Sequence, residues 1–226
     1  MTQLDRLPIS SQMFIVCAVK NDILSSVLRN CICILNVPRE RDRKMNKSVK
    51  KLVFIAVFTA ISIVVLYVPF LRFPIFPSAA FLEYDAMDIP ILLCSIIMGT
   101  GAGLAVTVIS CLIQGVTLSA SSGLYGIIMH FIATGAFVTA ASLVSGRKPS
   151  YKRLCLAMLC GCIAMTAIMI PANLLITPLF MGVPVKAVQD MLLPIILPFN
   201  FIKSGINTAV VLLIYPMIKK PLEEID

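Results

Sequence analysis

From Lys50-Lys51 onward the chain alternates long apolar runs with short charged or proline-rich breaks, and the length of each run decides what it can be. LVFIAVFTAISIVVLYVPF is long enough to cross a hydrocarbon core of about 30 Å at about 1.5 Å per residue. It predicts a first span at about 52 to 69. LRFPIFPSAAFLEYDAMD follows, rich in proline and carrying Arg72, Glu83, Asp85 and Asp88, and cannot lie in lipid as regular helix. It predicts a sizeable loop.

From Ile89 to Ala120 the chain is uncharged for 32 residues, interrupted by Gly99-Thr100-Gly101-Ala102-Gly103. One broken span or a tight hairpin of two both fit. Further spans are predicted at about 124 to 145, 154 to 180 and 191 to 218, separated by GRKPSYKR and GVPVKAVQD. Positive-inside bias chooses between five and six spans. With six and a cytoplasmic N-terminus, Lys47, Lys50, Lys51, Arg147, Lys148, Lys152, Arg153, Lys219 and Lys220 all fall inside, leaving only Arg72 and Lys186 outside. The expected fold is an all-α integral membrane protein of six transmembrane helices with both termini cytoplasmic.

Composition agrees. Hydrophobic residues make up 59% and charged residues 13% of the chain, and mean hydropathy is +0.97, well beyond the roughly 45–50% apolar content of soluble domains. The net charge of +8 divides into +3 for residues 1–44 and +5 for the remainder, where it sits beside apolar runs. That distribution marks topology and supplies no nucleic-acid face. Cys94, Cys111, Cys155, Cys160 and Cys162 lie within apolar runs and read as small buried residues. Cys31 and Cys33 lack the further ligands that zinc requires, so no metal is assigned.

Residues 1–44 fit none of this pattern. FIVCAV and CICILNV are too short to span, and no cleavage site follows a signal-type core. MNKSVKK, by contrast, resembles a usual start for a protein whose first span enters from the cytoplasm. The expected organisation is therefore an extension over 1–44, disordered or a misassigned start with Met45 as initiator, and a membrane domain over 45–226.

The motifs exclude several functions. There is no G-x-x-x-x-G-K-[ST], so any ATP-driven step needs a partner. H-E-x-x-H and G-x-S-x-G are absent and the single histidine, His130, lies inside an uncharged run, so no enzyme is expected. The acids all lie in loops or tails, which leaves Lys203 alone within a span and does not favour ion translocation.

A lysine at a helix centre costs roughly 2.5–3.5 kcal/mol on insertion scales. Asn200, Lys203 and Asn207 are spaced i, i+3 and i+7, which puts them on one helical stripe that must face inward. Lys203 lies about 13 Å into the span from Pro194 at its outer side, with Asn200 shallower, so the stripe predicts a polar pocket in the outer half of the membrane. Asn173, just after Pro171, adds an amide where proline frees a backbone carbonyl. One asparagine alone reads as an interhelical hydrogen bond, whereas Asn173, Asn200 and Lys203 together point to a ligand. Exchange of Lys203 for methionine keeps much of the stem and is expected to leave folding intact.

Other polar residues receive more ordinary readings. Asp88, before Ile89-Pro90, is placed to cap a helix N-terminus. Tyr84 and Asp85 are freer to meet a ligand, and Gln114 and His130 read as bonds to a neighbouring helix. Ala56 and Ala60 form a small-xxx-small pair that lets another helix approach closely, although bundle packing also explains an isolated pair.

FLEYDAMDIPILL, PFNFIKSGINTAVVLLIY and A-V-F-T-A together resemble the riboflavin-specific S-component of energy-coupling factor (ECF) transporters, over about 46 to 220. The resemblance implies a substrate-binding subunit in the cell membrane that captures riboflavin from outside. It would deliver the vitamin inward with a transmembrane T-component and two cytoplasmic ATPases. Riboflavin would be cargo, with no cofactor, and ATP would be hydrolysed by the partners. Asn173, Asn200 and Lys203 match polar contacts to the flavin, Ala56 and Ala60 match the face that meets the T-component, and the first outer loop would close over the pocket. His130 departs from the asparagine expected at its position. Left open are an S-component for thiamine, biotin or pantothenate, and a membrane assembly protein without a small-molecule ligand.

Overall fold

The computed structural model describes residues 47–79, 81–117, 123–146 and 149–223; the readings placed on residues 1–44 lie outside them. Among the described residues, five helices are long and apolar enough to cross a membrane, and a sixth apolar helix is shorter.

Helix α1, Lys47–Leu66, turns Phe54, Phe58, Ile61 and Leu66 into the protein and leaves Leu52 and Val64 exposed. The chain then forms a small antiparallel hairpin, β1 (Arg72–Pro74) against β2 (Glu83–Asp85), with Arg72 opposite Asp85 and Phe73 opposite Tyr84. Arg72 and Glu83 form an ion pair across it. The prolines that rule out a lipid-exposed helix here instead build single-turn 3₁₀ segments at Pro69–Leu71 and Pro77–Ala79.

The uncharged run is a hairpin of two helices, α2 (Asp88–Met98) and α3 (Thr100–Thr117). Gly99 joins them at φ 90°, a left-handed value that glycine adopts without a Cβ penalty. The 11 residues of α2 span only about 16 Å. Residues Asp88 to Ile96 are all buried, because α1, α3, α4 and α7 surround the helix.

Helix α4, Gly123–Ser145, packs along α5, Tyr151–Met181. A Cβ on Gly161 of α5 would lie 2.2 Å from Phe137 of α4 and 3.2 Å from Ala141, so the glycine sets how closely the two helices approach. Ser150 caps α5, its hydroxyl accepting from the Arg153 N–H. Helix α5 runs through Pro171 and Pro178 and ends at Gly182, φ 66°.

After the short helix α6, Val185–Met191, a π-helical segment over Leu192–Ile196 leads into α7, Leu197–Glu223. The widened turn is closed by the Leu197 N–H donating to the Leu192 carbonyl, five residues back. Ala79 and Leu82 of the hairpin loop join Val188, Ile196 and Phe199 in one apolar cluster. That packing lays β2 against the start of α7.

Candidate functional site

The cluster over α7 has a direct consequence for Lys203. The side chain is only 6% exposed, and its Nζ lies 3.1 Å from Asp85 Oδ2 and 3.4 Å from Asp88 Oδ2. The lysine that stands alone in its own span is thus neutralised by two carboxylates from β2 and α2. This is how a buried ammonium is made tolerable.

Asp88 is not the helix cap that its position beside Pro90 implies. The N-cap of α2 is Met87, which makes no side-chain cap bond, and the Asp88 carboxylate points into the bundle. Its Oδ1 accepts from Thr134 Oγ1 at 2.7 Å and lies 2.9 Å from His130 Nε2, and its Oδ2 accepts from Asn207 Nδ2 at 3.3 Å. A buried carboxylate satisfied by several donors is worth more to the fold than one exposed cap. His130 therefore bonds a neighbouring helix, as its position in the fourth predicted segment implies.

Tyr84 is buried and donates its hydroxyl to Asn207 Oδ1 at 3.1 Å. Burial, and next the Asp88 carboxylate, push the phenol well above its ordinary value, so it remains a donor. Asn207 thereby joins β2 to α2, receiving from Tyr84 and donating to Asp88.

Beside this network lies a cavity of about 300 Å³, at the lower end of the roughly 300–1,000 Å³ usual for small-molecule sites. Asn173, Asn200, Lys203 and Asp85 all line it, while Tyr84 does not. Asn200 Nδ2 donates to the Ile196 carbonyl at 2.8 Å, and Asn173 Nδ2 donates to the Met169 carbonyl at 2.8 Å. Pro171 releases the carbonyl of Ala167 instead, so the amide and the proline act at different places. Thr177 Oγ1 donates to Asn173 Oδ1, which orients that amide. Each asparagine spends one of its two amide hydrogens within its own helix. Met165, Met169, Ile127, Phe180 and Phe199 supply apolar wall.

Asp85, Asp88 and His130 bring three possible metal-ligand atoms within 4.8 Å of one another. Lys203 already places a cation between the two carboxylates, so the charge a metal would contribute is present. Ala56 and Ala60 lie elsewhere, both exposed on one face of α1.

Residues 50–215 match the family model for the substrate-specific component of ECF transporters. The chain belongs to this family. A riboflavin transporter of Bacillus subtilis, FmnP, is 32% identical over 184 residues, covering 78% of this chain and 95% of that protein. The Streptococcus thermophilus riboflavin transporter RibU is 26% identical, covering 76% and 84% respectively. A solved structure of the S component of a bacterial ECF transporter superposes with a TM-score of 0.66 at 26% identity, over 77% of this chain and 98% of that one. This S-component is a multi-pass membrane protein and a transporter subunit, and its fold is that of the ECF S-components.

Proposed function

We propose that the chain captures riboflavin in the cavity bounded by β2, α5 and α7, and passes it inward as the substrate-binding subunit of an ECF transporter. The observation that carries this reading is an apolar-walled cavity of about 300 Å³ with Lys203, Asn200 and Asp85 gathered on its wall. A flat apolar ring system bearing carbonyls and a polyhydroxylated chain suits such a lining.

The two carboxylates beside Lys203 bear on the rival cargoes. Biotin and pantothenate carry a carboxylate, which would find this ammonium already neutralised and would approach Asp85. An assembly protein needs no such cavity, and riboflavin is named for the relatives FmnP and RibU. Asn173, Asn200, Lys203 and Asp85 are proposed as ligand contacts, and Tyr84 as a support for them through Asn207.

The transport arrangement follows the family. A T-component and two ATPases would energise the cycle, meeting the exposed Ala56 and Ala60 of α1. The proposed topology counts α2 as a short sixth crossing and keeps both termini cytoplasmic, which gathers the lysine and arginine clusters on one side. The deciding experiment is the visible absorption spectrum of the protein purified from its own cell and titrated with riboflavin. A flavin band, or quenching of added riboflavin at a ratio of one per chain, is expected. A colourless protein that binds no riboflavin would refute the assignment.

A further inference from the structure

Asp85 is 4% exposed and lines the cavity, yet its two oxygens are unequally served. Oδ2 lies 3.1 Å from Lys203 Nζ, whereas no donor among the described residues reaches Oδ1. A buried carboxylate oxygen without a donor carries a desolvation penalty that a ligand N–H or O–H would relieve.

Its neighbours on the wall are donors. The Lys203 ammonium has three N–H groups and directs two contacts at Asp85 and Asp88, leaving the third. Asn200 has its second amide hydrogen. An acceptor is thus set beside two donors on a wall that Met165, Met169 and Phe199 continue as apolar surface.

The pyrimidine ring of a flavin presents the opposite pattern along one edge, with an imide N–H between two carbonyls. Resting on the riboflavin reading above, we infer that Asp85 Oδ1 accepts the hydrogen bond from that imide N–H while Lys203 donates to an adjacent carbonyl. Asp85 then determines specificity, because it selects a ligand that carries a hydrogen between two carbonyls. The ribityl chain is directed away from this edge. Its hydroxyls both donate and accept, so they place no comparable demand on an acceptor flanked by donors.

The test compares riboflavin with 3-methylriboflavin, in which a methyl group replaces the imide hydrogen, by fluorescence quenching with the purified full-length protein. Methylation is expected to weaken binding about 10- to 100-fold, the range for loss of one hydrogen bond to a charged group. In Asp85→Ala, which removes the acceptor and leaves room for the methyl group, riboflavin binding falls and the methylation penalty shrinks to less than about threefold. A penalty as large in Asp85→Ala as in the parent would overturn the assignment. So would equal binding of both flavins to the parent, a comparison that needs no variant to fold. Binding of neither flavin to the parent removes the riboflavin reading and this assignment together; tight binding of both removes this assignment alone.

Discussion

Replacing Lys203 with methionine removes every donor on the side chain while keeping most of its length. Considered by itself, the residue loses only contacts to a ligand. The structure changes that expectation, because the methionine would leave the Asp85 and Asp88 carboxylates facing each other without the ammonium between them. At an effective dielectric of about 20, a unit charge at 3.1 Å or 3.4 Å contributes a gross attraction of roughly 5 kcal/mol. Desolvation cancels much of this in the intact protein, but the variant retains the desolvated carboxylates and loses the attraction. Removing one partner of a buried pair typically costs about 3–5 kcal/mol. By the scaling for domains of this size, that lowers the unfolding temperature by about 6–20 °C. The assay is thermal unfolding of the ligand-free protein in detergent, with riboflavin titration measured well below the transition. Lys203→Met is expected to be destabilised and to lose flavin binding. Adding Asp85→Asn should restore part of the stability without restoring binding, because it removes one unpaired charge and supplies no ammonium. Unfolding of Lys203→Met at the parent temperature would refute the view that this lysine holds the two acids together.

Replacing both Ala56 and Ala60 with leucine adds volume only on an exposed face, so riboflavin binding should stay near the parent value while uptake by the assembled transporter is lost; unchanged uptake would return the pair to ordinary surface. Gly161→Ala should cost about 1–3 kcal/mol in thermal unfolding, because Phe137, itself 1% exposed, blocks the added Cβ. Tyr84 holds its proton more tightly folded than unfolded. Its contribution to stability is present in full below the ordinary tyrosine value of about 10 and is lost as pH rises toward the folded-state value. An alkaline absorbance titration should show Tyr84 ionising only on unfolding, and Tyr84→Phe should remove its share of that late step. In vesicles containing this chain alone, riboflavin should bind but not accumulate against a gradient, and sustained uptake there would contradict the need for ATPase partners.

The apolar runs announce most of the helices, since length and hydropathy are local properties. The stripe on α7 is equally local: Asn200, Lys203 and Asn207 are all buried, while Phe201 and Ile202 between them are exposed. What they meet was not legible from spacing. Lys203 and Asp85 lie 118 positions apart, and an acid next to a helix-initiating proline has a plausible local role as a cap. The signal that could have redirected Asp88 is energetic. A lysine in a span requires a counter-charge, and Asp85 and Asp88, three residues apart at the mouth of an apolar helix, are the nearest acids that the topology brings to it. The turn that ends α2 was legible in the glycine-rich interruption beginning at Gly99, whereas the burial of α2 along nearly its whole length was not, because it depends on helices distant in sequence. Gln114 reads as a helix-to-helix bond, yet it lines the cavity and its Oε1 has no partner among the described residues.

The pairing of β2 and α2 with α7 also bears on how the chain is made. Ribosomal synthesis delivers the two acids long before their lysine, so Asp88 enters the bundle with Thr134 and His130 as its earlier partners, and Lys203 arrives in the last helix to find its counter-ions in place. The cost of inserting that helix is therefore met by groups already installed. A nascent chain that stops before α7 lacks the Lys203 ammonium and the Asn207 amide, so of the side chains described around Asp88 only His130 and Thr134 remain to meet its charge.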